Sequence, residues 1–139
     1  MNKKTILAGI LAGVVTFLLN WLLYGIALAE VFENLAGTAS GVMKNDAEMA
    51  SSIPYLIIGQ LVYGLFIAYI LGHWASVSTP AGGAKAGATI GVLVSVAINF
   101  TSLGTYNILT LNGALADVAV MTVVSALAGA AAGWWLGRK

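Results

Sequence analysis

Residues 8–25 read AGILAGVVTFLLNWLLYG, and residues 87–104 read GATIGVLVSVAINFTSLG. In the first stretch Ala8, Ala12, Thr16 and Asn20 fall on every fourth position, followed by Trp21 and Gly25. In the second, Gly87, Gly91, Ser95 and Asn99 do the same, followed by Phe100 and Gly104. The two rows match at one constant interval, so no gap is needed. A four-residue step keeps side chains on one face of an α-helix. The rest of each stretch is apolar. Each is therefore a helix that lipid can solvate, carrying a row of small, small, hydroxyl and amide groups. Such a row lets helix backbones approach closely and hydrogen-bond within a bilayer.

Composition agrees with a membrane solvent. The chain has 139 residues, enough for one integral membrane domain covering 1–139. Hydrophobic residues make up 60% and charged residues 8%, against about 25% charged in soluble domains. Mean hydropathy is +0.94. So few charges cannot clothe a water-facing surface. The net charge of +1 gives no case for nucleic-acid binding, which needs a basic face. There is no cysteine, hence no disulfide, thiolate metal site or cysteine nucleophile.

Crossing about 30 Å of hydrocarbon takes about 20 apolar residues. Stretches at about 5–29, 53–75, 81–103 and 111–136 qualify, with an outer loop at 30–52. Ser51-Ser52-Ile53-Pro54 predicts a capped start for span two, with proline in the first turn. Ser78-Thr79-Pro80 predicts the same for span three. Lys3, Lys4, Lys85, Arg138 and Lys139 fall on one side if the spans alternate. Glu30, Glu33, Lys44, Asp46 and Glu48 fall on the other. The positive-inside rule then puts both termini in the cytoplasm of a multi-pass inner-membrane protein. Lys3-Lys4, an apolar run and Ala27-Leu28-Ala29 also resemble a cleaved signal peptide. The run is too long for that, contains Asn20 and Trp21, and has a counterpart in span three.

The even spans also match. Gly64, Ala68, Gly72, His73 and Trp74 correspond to Ser125, Gly129, Gly133, Trp134 and Trp135 at a second constant interval. The predicted fold is all-α: a four-helix transmembrane bundle of two helical hairpins. The hairpins have the same orientation and form a parallel repeat about an axis along the membrane normal. Gly9 with Gly13, Gly83 with Gly87, and Gly129 with Gly133 and Gly137 add GxxxG pairs. Gly9, Gly13, Gly64, Gly72, Gly87, Gly91, Gly129 and Gly133 are the expected helix-packing positions. Trp21, Trp74, Trp134 and Trp135 read as interfacial anchors, and Tyr24 reads the same way.

Polar groups within spans are costly and tend to be paired or functional. Asn20, Gln60, Asn99 and Asp117 are the candidates, followed by Thr16, Ser95, Thr101, Ser102 and Ser125. Counted from the outer ends, the first four share the outer half of the bilayer. Asn20 and Asn99 fit either an interhelical amide clamp or the wall of a polar pocket. Asp117, the single acid within a span, fits either a cap on the N-terminus of span four or an ion or proton site. His73 has no second ligand beside it, so no metal or cofactor is implied. No HExxH, GxSxG or phosphate loop occurs, and Lys85 in Gly82–Gly87 reads as a topological anchor. In the first loop, 30–35 could extend span one and 42–50 could form a surface turn of helix. The loop as a whole could cap the bundle or meet a partner.

The Trp21 and Tyr24 pair, the glycine-rich start of span three, and Leu115-Ala116-Asp117 running through Gly129 to Gly133-Trp134-Trp135 carry a resemblance. They resemble an uncharacterised family of small four-span bacterial membrane proteins. The resemblance implies a four-helix bundle in a bacterial inner membrane and brings no activity. The chain departs from that pattern in its longer first loop and in the alanines of span four. The expectation is a non-enzymatic protein of undetermined activity: a small channel or carrier for an ion or small solute. The alternative is a structural or accessory subunit of a larger membrane complex. An intramembrane enzyme ranks last, since no nucleophile–base or metal pair is visible. The partners expected are the lipid bilayer and either further copies of the chain or a larger complex.

Overall fold

In the computed structural model, which describes residues 1–139 apart from the Asp46 side chain, each long helix starts at a polar side chain. The chain forms α1 (Lys3–Leu22), α2 (Ala29–Asn34), α3 (Asp46–Tyr69), α4 (Pro80–Thr105) and α5 (Leu111–Gly137). α1 and α3 continue into π-helical turns at Leu23–Ala27 and Ile70–Trp74. Asn2 caps α1, Asn45 caps α3, Thr79 caps α4 and Thr110 caps α5. Each side-chain oxygen accepts from a backbone N–H that the first turn leaves free.

Four helical stretches are long and apolar enough to cross a membrane: Lys3–Ala27, Ala47–Trp74, Pro80–Thr105 and Leu111–Gly137. The chain is a multi-pass membrane protein. Span three starts at the Thr79-Pro80 cap that its sequence predicts. Span two does not start at Ser51-Ser52. Asn45 and Glu48 exchange two 3.0 Å bonds in a reciprocal capping box, which starts α3 upstream and leaves Pro54 inside the helix. Ser51 and Ser52 instead turn their hydroxyls back onto the Glu48 carbonyl, each at 2.8 Å. The surface turn expected at 42–50 is thus partly the first turn of α3. Span one stops at Ala27, because Leu28 leaves helical geometry (φ −118°, ψ 11°) before α2 begins.

The four long helices pack as a bundle in the spatial order α3, α1, α5, α4. α1 lies between α3 and α5, and α4 packs chiefly against α5. The centre is small: Ala8 and Ala12 of α1, Ile67 and Ala68 of α3, Leu71 of the following π turn, and Ala128 and Ala132 of α5. Lipid is as apolar as these side chains. Close van der Waals approach, rather than exclusion of water, therefore holds such a contact together. Outward faces carry Ile10, Val14 and Leu18 of α1 and Leu93 and Ile98 of α4, all exposed as lipid-facing residues are.

Glycines make the closest approaches. A Cβ on Gly64 would strike the backbone of Gly13 and Gly9, and Gly9 and Gly13 face the Cα atoms of Leu65 and Leu61. In the other helix pair, Gly83 and Gly129 face each other's carbonyls. Gly87 and Gly91 lie on Ser125, and Gly133 lies on Thr79. Gly72 meets only the side chains of Thr5 and Leu136. The matching rows are used differently. Ala8 and Ala12 enter the central cluster, while Gly87 and Gly91 face α5 directly.

The two loops at the end away from the termini are joined. Ala36 and Leu109 form an antiparallel bridge, with Gly37 N donating to Ile108 O at 3.1 Å and Ala39 N to Asn107 O at 2.9 Å. Gly37 must be glycine, because a Cβ there would strike the Asn107 carbonyl. Thr110 both caps α5 and donates its hydroxyl to Leu35 O at 2.8 Å. Thr110→Ala is expected to weaken the start of α5 by about 1 kcal/mol. It should also release residues 36–45, read as faster limited proteolysis in that segment with the spans still protected.

Candidate functional site

The row that begins at Ala8 leads into a polar cluster. Thr16 turns its hydroxyl onto its own helix, to Gly13 O at 2.9 Å, and lies 3.4 Å from Gln60 O of α3. One step on, Asn20 Nδ2 donates to Gln60 Oε1 at 3.0 Å. One further step, in the π turn, Tyr24 donates its hydroxyl to Asp117 Oδ1 at 2.5 Å. From α4, Asn99 Nδ2 donates to the other carboxylate oxygen, Asp117 Oδ2, at 2.5 Å and to Ser95 O at 2.9 Å. The cluster therefore ties α1 to α3, α1 to α5 and α4 to α5.

These groups line one cavity of about 320 Å3. Asn20, Tyr24, Gln60, Ser95, Asn99 and Asp117 form its polar wall, and Val94, Ile98 and Met121 its apolar wall. Asn20, Gln60, Asn99 and Asp117, singled out from sequence, all lie on this wall. No lysine, arginine or histidine is among its lining residues. The Asp117 carboxylate is held by a phenol and an amide, both neutral. Asn20 Oδ1 is buried and has no hydrogen-bond partner. The cavity thus holds one carboxylate with no cation of its own, and the unpartnered Asn20 oxygen is enclosed in its wall. A charge in a low-dielectric site without a counterion is costly, and an entering cation or hydrogen-bond donor would offset that cost.

Two expectations change. Asp117 does not cap span four: Thr110 does, and the Asp117 carboxylate turns across to Tyr24 and Asn99. Asn20 and Asn99 each make an interhelical amide bond, one to Gln60 and the other to Asp117, and both also line the cavity. Tyr24 is half-buried in the cluster, a cross-helix contact that the anchor reading does not call for. Its sequence signal is its place four residues after Asn20, which continues the small-and-amide row by one step. A second cross-helix bond, Tyr63 Oη with Ser125 Oγ at 2.8 Å, joins α3 to α5. Sequence marked only its serine.

Trp21, Trp74 and Trp134 are exposed. Trp135 packs edge-on to Trp134 and partly against the central cluster. His73 is exposed and stacks on Tyr69 with ring centres 5.1 Å apart. Among the described residues no three His, Cys, Asp or Glu side chains gather as a metal site would require.

Comparison with known protein families, with curated proteins and with solved structures finds no match to this chain. The coarse form of the resemblance is what stands: a small membrane protein with four candidate spans.

Proposed function

We propose that the chain is a small carrier or channel that takes a small cation or hydrogen-bond-donating solute into the cavity around Asp117. The supporting observation is a carboxylate on the cavity wall held only by neutral donors, with no basic side chain among the lining residues. The charge distribution along the chain supports an inner-membrane protein with both termini cytoplasmic, which places the cavity in the outer half of the bilayer. The matched rows, with α1 against α3 and α4 against α5, support two same-way hairpins. No part of the reading calls for a chemical step, so the protein is proposed to be non-enzymatic.

Flux in proteoliposomes tests it, with sodium, potassium and methylammonium as probes. Asn20→Leu with Asn99→Leu removes two amides from the wall. Flux of the transported probe should fall, since the cavity wall beside Asp117 loses both asparagine amides. Unchanged flux in a folded double variant removes Asn20 and Asn99 from the pathway, and no flux of any probe through the wild-type protein refutes the carrier or channel.

One observation favours the accessory-subunit reading. Met43 is 81% exposed and Val42 51% exposed in the first loop, outside the spans. That reading rests on the loop alone, since the glycine rows are taken up between helices of the same chain. A stoichiometric membrane partner that is lost on Val42→Ser with Met43→Ser would support it.

A further inference from the structure

Four cationic side chains from the two ends of the chain surround a second cavity, of about 530 Å3. Lys3 and Lys4 come from the first turn of α1, and Arg138 and Lys139 from the segment after α5. Leu7 and Trp135 supply an apolar wall. Lys4 Nζ donates to the Arg138 carbonyl and so ties the two segments together. The Arg138 guanidinium lies 4.7 Å from the centre of the Trp134 ring and 5.3 Å from that of Trp135.

Among the described residues no acidic side chain neutralises this group. Glu30 and Glu33 lie on α2, residues 46 and 48 start α3, and Asp117 lies in the second turn of α5, all at the opposite end. The 20-residue α1 alone separates the two ends by about 30 Å. Four gathered positive charges repel one another, and a bound anion relieves that repulsion.

We propose that this cavity holds the phosphodiester headgroup of an anionic phospholipid. The apolar wall distinguishes lipid from soluble phosphate. Exposed Leu7 continues the cavity onto the hydrocarbon-facing surface, with the half-buried Trp135 beside it, and exposed Trp74 and Trp134 mark the same end as the interface. Basic pockets between membrane helices take anionic headgroups in this way. The site is independent of the Asp117 cavity and of the solute proposed for it.

The test uses the full chain with Trp21→Phe and Trp74→Phe, so that fluorescence reports Trp134 and Trp135. It is reconstituted in phosphatidylcholine bilayers with increasing brominated phosphatidylglycerol or brominated phosphatidylcholine. Quenching should be half-maximal at a several-fold lower fraction of the anionic lipid. Lys4→Gln or Arg138→Gln should each weaken that preference by about fivefold. Lys85→Gln removes a charge outside the cavity lining and should leave the preference unchanged. Equal quenching by the two lipids overturns the proposal, as does a Lys85→Gln effect as large as that of Lys4→Gln. Loss of the preference in millimolar inorganic phosphate, at matched ionic strength, assigns the cavity to soluble phosphate and also overturns the lipid.

Discussion

Gly64→Ala is expected to cost the bundle about 3 kcal/mol, read as a lower unfolding midpoint in detergent. The added Cβ would lie against Gly13 N, Gly13 Cα and Gly9 O. All three are backbone atoms in the interior of α1, so no side chain can rotate away. α1 and α3 must separate instead, and each loses van der Waals contact along the shared face. The Asn20–Gln60 bond lies one helical turn along that face and should lengthen with it. Gly59→Ala is the control. A Cβ at Gly59 meets nothing within 4 Å, and alanine favours helix over glycine by up to about 1 kcal/mol. If both variants unfold at the same point, the close α1–α3 contact is not what holds the bundle.

Asp117 carries the second large effect, and two substitutions separate its two roles. Asp117→Leu strands the Tyr24 hydroxyl, at about 1–2 kcal/mol, and leaves Asn99 Nδ2 with Ser95 O alone. The variant should therefore be less stable, and α4 should loosen from α5 at the loop end. Asp117→Asn keeps the shape and a carbonyl oxygen but removes the charge. Its stability should stay close to wild type, because Tyr24 and Asn99 can still pair with the new amide. A charge pair near 4 Å contributes about 4 kcal/mol at an effective dielectric constant of 20, so cation binding should fall by about tenfold or more. Isothermal titration with the transported cation checks this. Equal affinity in a folded Asp117→Asn protein would remove the carboxylate from the proposed site.

The site was partly legible because membrane helices are so uniformly apolar. Against that background Asn20, Gln60, Asn99 and Asp117 stand out by residue type alone. Counting turns from the span ends also puts them at one depth. Their pairing was not legible. Asn20 turns to Gln60 and Asn99 to Asp117, and the matched rows by themselves name neither partner. Tyr24 was hidden by its own chemistry: a tyrosine near a span end fits an interface as well as a buried hydrogen bond. The start of α3 was misplaced because two valid capping signals compete there. The reciprocal Asn45–Glu48 box satisfies more backbone groups than the Ser51-Ser52 pair can.

Sequence by itself determined that this chain forms four helices long and apolar enough to cross a membrane. That outcome is local: apolar runs of sufficient length set the spans, and nearby polar side chains set most of their ends. The tertiary structure decided which helix meets which, and so what each polar row does. A four-residue row fits any close neighbour, and only the rotation of each helix about its axis chooses among them. That choice sent Ala8 and Ala12 into the centre and Gly87 and Gly91 onto α5. It also brought Tyr24 and Asn99 to the two oxygens of Asp117.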